Sequence, residues 1–144
     1  MKIIIIGGGW YGCYTAYILS SEYDITLIDK NTTLFSSSSY FNQNRLHLGY
    51  HYPRNYKTRM LCKTGYIYFL KKFPELIDDI DNNYYAISNK SNIDFRTYIQ
   101  IFKDDYYDYK LYENTKFKNI EGKLIKVTEK IINSERSKSF FQNK

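Results

Sequence analysis

Lys2-Ile3-Ile4-Ile5-Ile6-Gly7-Gly8-Gly9-Trp10-Tyr11-Gly12 opens the chain and decides its fold. Four isoleucines bounded by glycine predict a buried strand. The glycines at 7, 9 and 12 make a G-x-G-x-x-G turn, and residues 10–21 can form an amphipathic helix with Cys13, Ala16 and Tyr17 on one face. Gly7 permits the tight exit from the strand, Gly9 lets the backbone approach a phosphate, and Gly12 lets helix and strand pack closely. The free amides of the first helical turn, at the positive end of the helix dipole, then face the anion.

The next segment completes the unit. Asp24-Ile25-Thr26-Leu27-Ile28-Asp29 predicts a second strand ending in an acid. Asp29 stands about 20 residues beyond the turn, where an acidic side chain accepts hydrogen bonds from an adenosine ribose. The expectation is an α/β fold whose first 55 residues form a Rossmann-like βαβ nucleotide-binding unit. The competing view is a βαβ unit whose glycines serve packing alone.

Two cysteines, Cys13 and Cys62, both in predicted helices, make no disulfide framework and are expected as buried thiols. No cleavable leader or membrane-length apolar run is visible, so a soluble cytoplasmic protein without membrane partners is expected. A net charge of +6 suits an anionic dinucleotide. The lysines are scattered among acids and form no basic stripe, which argues against nucleic acid.

After Asp29 a loop runs through Ser36-Ser37-Ser38-Ser39, either a flexible linker or a source of hydroxyls for phosphate. Residues 42–54, NQNRLHLGYHYPR, gather Arg45, His47, His51 and Arg54 around Gly49 and Pro53. A polar stretch rich in His and Arg is a candidate active-site loop. His47 and His51 have helical metal-ligand spacing, but glycine and proline preclude the helix, so no metal is expected.

Residues 56–73 predict a helix ending before Pro74, with Met60, Leu61, Ile67 and Tyr68 as core positions. Tyr84–Ile87 predicts a strand, residues 93–103 a helix capped by Ser91 or Asn92, and 110–112 a short strand. Residues 119–132 predict a hairpin about Gly122, followed by the start of a C-terminal helix.

IIIIGGGWYGCYTAYILS and DITLIDK resemble the N-terminus of FAD-dependent oxidoreductases of the D-amino-acid oxidase class. NQNRLHLGYHYPR is similar to a segment of one bacterial subgroup of that class. The resemblance implies FAD as cofactor, held by Gly7, Gly9, Gly12 and Asp29, with Ser38 and Ser39 passing the phosphates. The family more often carries Glu at the place of Asp29. It further implies that Asn44, Arg45 and His47 approach the flavin ring, with Arg45 and His47 as candidates for catalysis. His51 and Arg54 are expected to be structural. The chemistry implied is hydride transfer from a small amine or hydroxy substrate to flavin.

Family members are well over twice this length, so residues 56–144 are expected to form part of an α+β substrate domain in a truncated, inactive chain. Weak FAD binding, self-association or a complementing chain follows from that expectation. Alternatives are a non-catalytic nucleotide-binding remnant and, on the strength of Asp29, an NAD-dependent enzyme.

Overall fold

The computed structural model of the chain describes residues 1–114 and 116–144. Along the sequence the elements are β1 (Lys2–Ile6), α1 (Trp10–Leu19), β2 (Asp24–Ile28), β3 (Arg45–Leu46), α2 (Tyr56–Lys72), β4 (Ile77–Asp78), β5 (Tyr84–Ser88), α3 (Phe95–Asp104), β6 (Tyr109–Tyr112), β7 (Ile120–Val127), β8 (Lys130–Ile132) and α4 (Ser134–Gln142). A 3-10 turn covers Pro74–Leu76. They form two compact units, one of residues 1–44, 75–78 and 131–144, the other of residues 45–74 and 79–130.

In the first unit β1 and β2 pair in parallel, from Lys2 opposite Asp24 to Ile6 opposite Ile28. Both strands alternate exposed and half-buried positions. The half-buried set, Ile3, Ile5, Ile25 and Leu27, marks the covered face; Ile4, Ile6 and Ile28 lie on the exposed one. Cys13, Phe35 and Phe141 form the small core, with Trp10, Tyr17, Leu27, Leu34 and Phe140 packed on it. The C-terminal helix expected from the sequence is present as α4. Asn133 caps it, its side chain accepting the Arg136 amide, and Phe141 stacks on Phe35 at 5.9 Å. β4 pairs antiparallel with the end of β8, Ile77 opposite Ile132.

In the second unit β5, β7 and β6 form an antiparallel sheet with β7 in the centre. Helix α3 supplies Tyr98 and Phe102 to a core shared with Tyr50, Ile87, Tyr107, Ile125 and Val127. Its cap is Asp94 rather than Ser91 or Asn92, with the carboxylate accepting the Thr97 amide at 2.8 Å. Helix α2 spans nearly the predicted range; Asn55 caps it and Lys71 and Lys72 end it.

Two further expectations fail in this unit. Leu61, Ile67 and Tyr68 are largely exposed, and of the four expected core positions on α2 only Met60 packs on the core. The helix buries Arg59 instead, which is held by Asp105 and the carbonyls of Tyr52 and Pro53. Gly122 is no hairpin turn. It lies inside β7 with φ +68°, where the register against β5 shifts, and a Cβ there would fall 2.4 Å from the Phe95 ring. The glycine thus serves an irregular, bulge-like step. The reversal between β6 and β7 comes earlier, after Tyr112.

Candidate functional site

The glycine turn is built by a positive φ and by close approaches that side chains would block or must bridge. Gly7 has φ +112°, a conformation other residues rarely adopt. A Cβ on Gly12 would stand 1.8 Å from the Gly7 carbonyl oxygen, so α1 can start here only with glycine. A Cβ on Gly9 would meet Ser39 Oγ at 2.8 Å. Gly9 itself caps α1 but has no side chain to do so, and Ser39 Oγ accepts the Trp10 amide at 3.1 Å instead. The serine run therefore returns one hydroxyl to the helix start; that hydroxyl keeps its own proton to donate. Ser38 is exposed, and its carbonyl accepts from Asn42.

Asp29 closes the turn from the β2 side. Its carboxylate accepts the Gly8 amide at 2.6 Å and the Asn31 amide at 2.7 Å. These two backbone donors, Gly8 foremost, hold its carboxyl below the usual range. The carboxylate is thus anionic at neutral pH, with lone pairs left for further donors. Cys13 Sγ donates to the Gly8 carbonyl at 3.4 Å; burial first, then the Asp29 charge, pushes its thiol up to about 11. That thiol is a packing group rather than a nucleophile.

Asn44 belongs to the same unit, with φ +50° and its carbonyl accepting the Ile132 amide at 2.7 Å. Arg45 and His47 belong to the second unit, where a residue not singled out from the sequence organises them. Glu129 has a side chain with no solvent exposure. It accepts the Leu48 amide at 2.7 Å and the Tyr85 hydroxyl at 2.8 Å. Arg45 Nη1 lies 3.9 Å and His47 Nδ1 3.8 Å from it. The Arg45 guanidinium sits over the Tyr85 ring, 4.7 Å from its centroid. Burial pushes the Glu129 carboxyl up, but His47, Tyr85 and the Leu48 amide together outweigh it and leave it below the ordinary value. Burial, with the Glu129 charge behind it, pushes the Tyr85 phenol far up, so Tyr85 is a donor at any physiological pH. His51 and Arg54 are exposed. Glu129 was legible in one respect: it continues the alternation of buried Ile125 and Val127.

Among the described residues no group of three His, Cys, Asp or Glu side chains is placed to hold a metal ion, and no helix is long and apolar enough to cross a membrane.

Comparison with known proteins agrees with the βαβ geometry. Among curated proteins the chain is 38% identical over 96 residues to the FAD-dependent monooxygenase FPY4 of Fusarium mangiferae, covering 65% of this chain and 26% of that protein. It is 33% identical over 87 residues to the FAD-dependent monooxygenase kojA of Aspergillus flavus, covering 60% of this chain and 20% of that one. A probable kojA from Aspergillus oryzae matches equally. The chain thus spans about a quarter or less of the length of these relatives. Residues 2–129 match the DAO family, described as FAD dependent oxidoreductase, and with that match over most of its length the chain belongs to the FAD-dependent oxidoreductases.

Proposed function

We propose that the first unit holds the ADP portion of FAD for an oxidoreductase acting on a small amine or hydroxy compound. The carrying observation is the convergence of Gly9, Ser39 and Asp29 on the start of α1. The residues fit the group. Gly9 lets the Ser39 hydroxyl close on the start of α1, where a Cβ would stand 2.8 Å from it, and the amides of a helix's first turn suit an anion. Ser39 offers a hydroxyl proton to a phosphate oxygen while its oxygen caps the helix. Asp29 offers its remaining lone pairs to ribose hydroxyls. Gly7 and Gly12 shape the turn. Asn44 and Ser38 enter this reading through the family resemblance.

FAD, when bound, supplies the electron acceptor for the oxidation. In the second unit Arg45 and His47 remain the candidates for orienting a small molecule or handling its proton. The two unbridged thiols suit a reducing compartment, and the reading places the protein in the cytoplasm.

The test is ligand competition on the purified chain. FAD binding, followed by calorimetry, should be competed by ADP and not by FMN, and a folded Gly9→Val variant should lose it. Competition by FMN alone, or unchanged affinity in the glycine variant, would overturn the assignment. Binding of NAD in preference to FAD would favour the dehydrogenase reading that Asp29 first suggested.

A further inference from the structure

The Glu129 carboxylate divides its neighbours between its two oxygens. Oε1 accepts the Leu48 amide at 2.7 Å and faces His47 Nδ1 at 3.8 Å. Oε2 accepts the Tyr85 hydroxyl at 2.8 Å and faces Arg45 Nη1 at 3.9 Å. A carboxylate has about four lone-pair sites, two per oxygen, so each oxygen has one acceptor direction left. Arg45, placed by Oε2 and over the Tyr85 ring, is not the group beside Oε1. His47 is.

His47 is itself two-sided. Its side chain is 39% exposed, yet Nδ1 is shielded from solvent and makes no hydrogen bond. Its exposure therefore lies on the rest of the side chain, which carries Nε2. A shielded ring nitrogen either bears a proton or presents a bare lone pair. Against an anionic oxygen a lone pair is repelled and an N–H is attracted. Nδ1 and Oε1 lie 3.8 Å apart, and an approach closer by about 0.6 Å would put an Nδ1–H within hydrogen-bond range of the carboxylate, whereas a buried donor or acceptor left unpaired is costly.

We propose that Glu129 is a positioning residue that keeps the neutral His47 ring protonated on Nδ1, and so makes the outward Nε2 an acceptor for a small molecule bearing an N–H or O–H. In free histidine the neutral ring favours the opposite arrangement, with the proton on Nε2. The identity of the protonated nitrogen is set by what the other nitrogen faces. A proton passed from such a donor to Nε2 would give the imidazolium, whose Nδ1–H already faces a carboxylate. The donor keeps the electron pair of the broken bond. This assignment concerns the second unit alone and stands whether or not the first unit takes FAD.

The experiment uses the whole chain labelled with ¹⁵N-histidine, with both rings read by long-range ¹H–¹⁵N correlation at alkaline pH. The expected result is a pyrrole-like Nδ1 and pyridine-like Nε2 for His47, and the reverse for exposed His51, the internal reference. Glu129→Gln keeps an oxygen for the Leu48 amide but removes the charge; the ratio of the two His47 forms should move roughly tenfold toward Nε2–H. Glu129→Asp, which restores a carboxylate, should move it back. A wild-type His47 protonated mainly on Nε2 would overturn the proposal, and that measurement decides even if the variants do not fold. So would a folded Glu129→Gln protein with an unchanged ratio, which is what a purely structural carboxylate predicts.

Discussion

In the first unit the groups around the start of α1 come from Gly7 to Ser39, and Asp29 reaches Gly8 across 21 residues. In the second unit Glu129 reaches back 81 residues to the Leu48 amide and 44 to the Tyr85 hydroxyl. The first arrangement rests on missing side chains: three glycines permit the backbone to fold on itself. The second rests on a charge that four donors must face before it can be buried. A local turn is therefore broken by adding atoms, and a long-range cluster by removing them.

Gly12→Val is the sharpest break and the largest expected effect. Its Cβ would lie 1.8 Å from the Gly7 oxygen and 3.0 Å from the Gly7 carbonyl carbon, so neither a rotamer change nor a side-chain shift relieves it. The first unit should fail to fold, seen as loss of slowly exchanging amides in β1 and β2 with β5, β6 and β7 still protected. Full protection in β1 would mean that α1 can start elsewhere.

Glu129→Ala follows. Removing one partner of a buried charged cluster costs about 3–5 kcal/mol, because the remaining groups stay buried without their counterpart. Urea unfolding should show this loss in the second unit. The same carboxylate sets a pH dependence. Its carboxyl lies below the ordinary value when folded, so its stabilisation is fully present above the ordinary glutamate range and fades as pH falls through the lower folded value. Wild-type stability should fall on acidification, and the Glu129→Ala profile should be flatter. Parallel profiles would show that other carboxylates carry the acid sensitivity.

Asp29→Ala tests the turn by removal instead. The Gly8 and Asn31 amides lose their acceptor, and the ribose loses its carboxylate in the proposed site. FAD affinity of the folded variant should drop roughly tenfold or more, as expected for a charge-assisted hydrogen bond, and thermal stability should fall as well because the buried Gly8 amide loses its acceptor. Unchanged affinity by titration would place the ribose elsewhere.

How much of this the sequence showed follows the same division. Strand, glycine turn, helix and Asp29 follow one another closely, and the βαβ unit was legible from spacing. Ser39 was not separable from a linker, because its role depends on a loop returning 29 residues later to Trp10. On α2 apolar spacing suggested Leu61, Ile67 and Tyr68 as core, yet the buried side chain is Arg59, chosen by Asp105 from a distant element. Gly122 signalled a special backbone position without saying which; the Phe95 ring above it is the cause. Glu129 stood in phase with Ile125 and Val127, but nothing in its own segment supplied the donors a buried acid needs.

The smallest effect on folding is expected on the exposed face of the parallel pair. Parallel sheets are ordinarily covered on both faces, and here Ile6 is 85% and Ile4 65% exposed, with Ile28 beside them. An apolar face of this kind associates with another apolar surface, and a second copy of the chain supplies an identical one. Ile6→Thr keeps a β-branched residue, so strand propensity is retained, and a surface change away from the core alters stability by only about 0.5 kcal/mol. It does put a hydroxyl on the apolar face. Sedimentation velocity over a range of concentrations should therefore show the wild type self-associating and the variant shifted toward monomer at unchanged melting temperature. A concentration-independent monomer in the wild type would show that this face does not drive self-association, and would leave the contrast between the two units to rest on the glycine turn and the buried carboxylate.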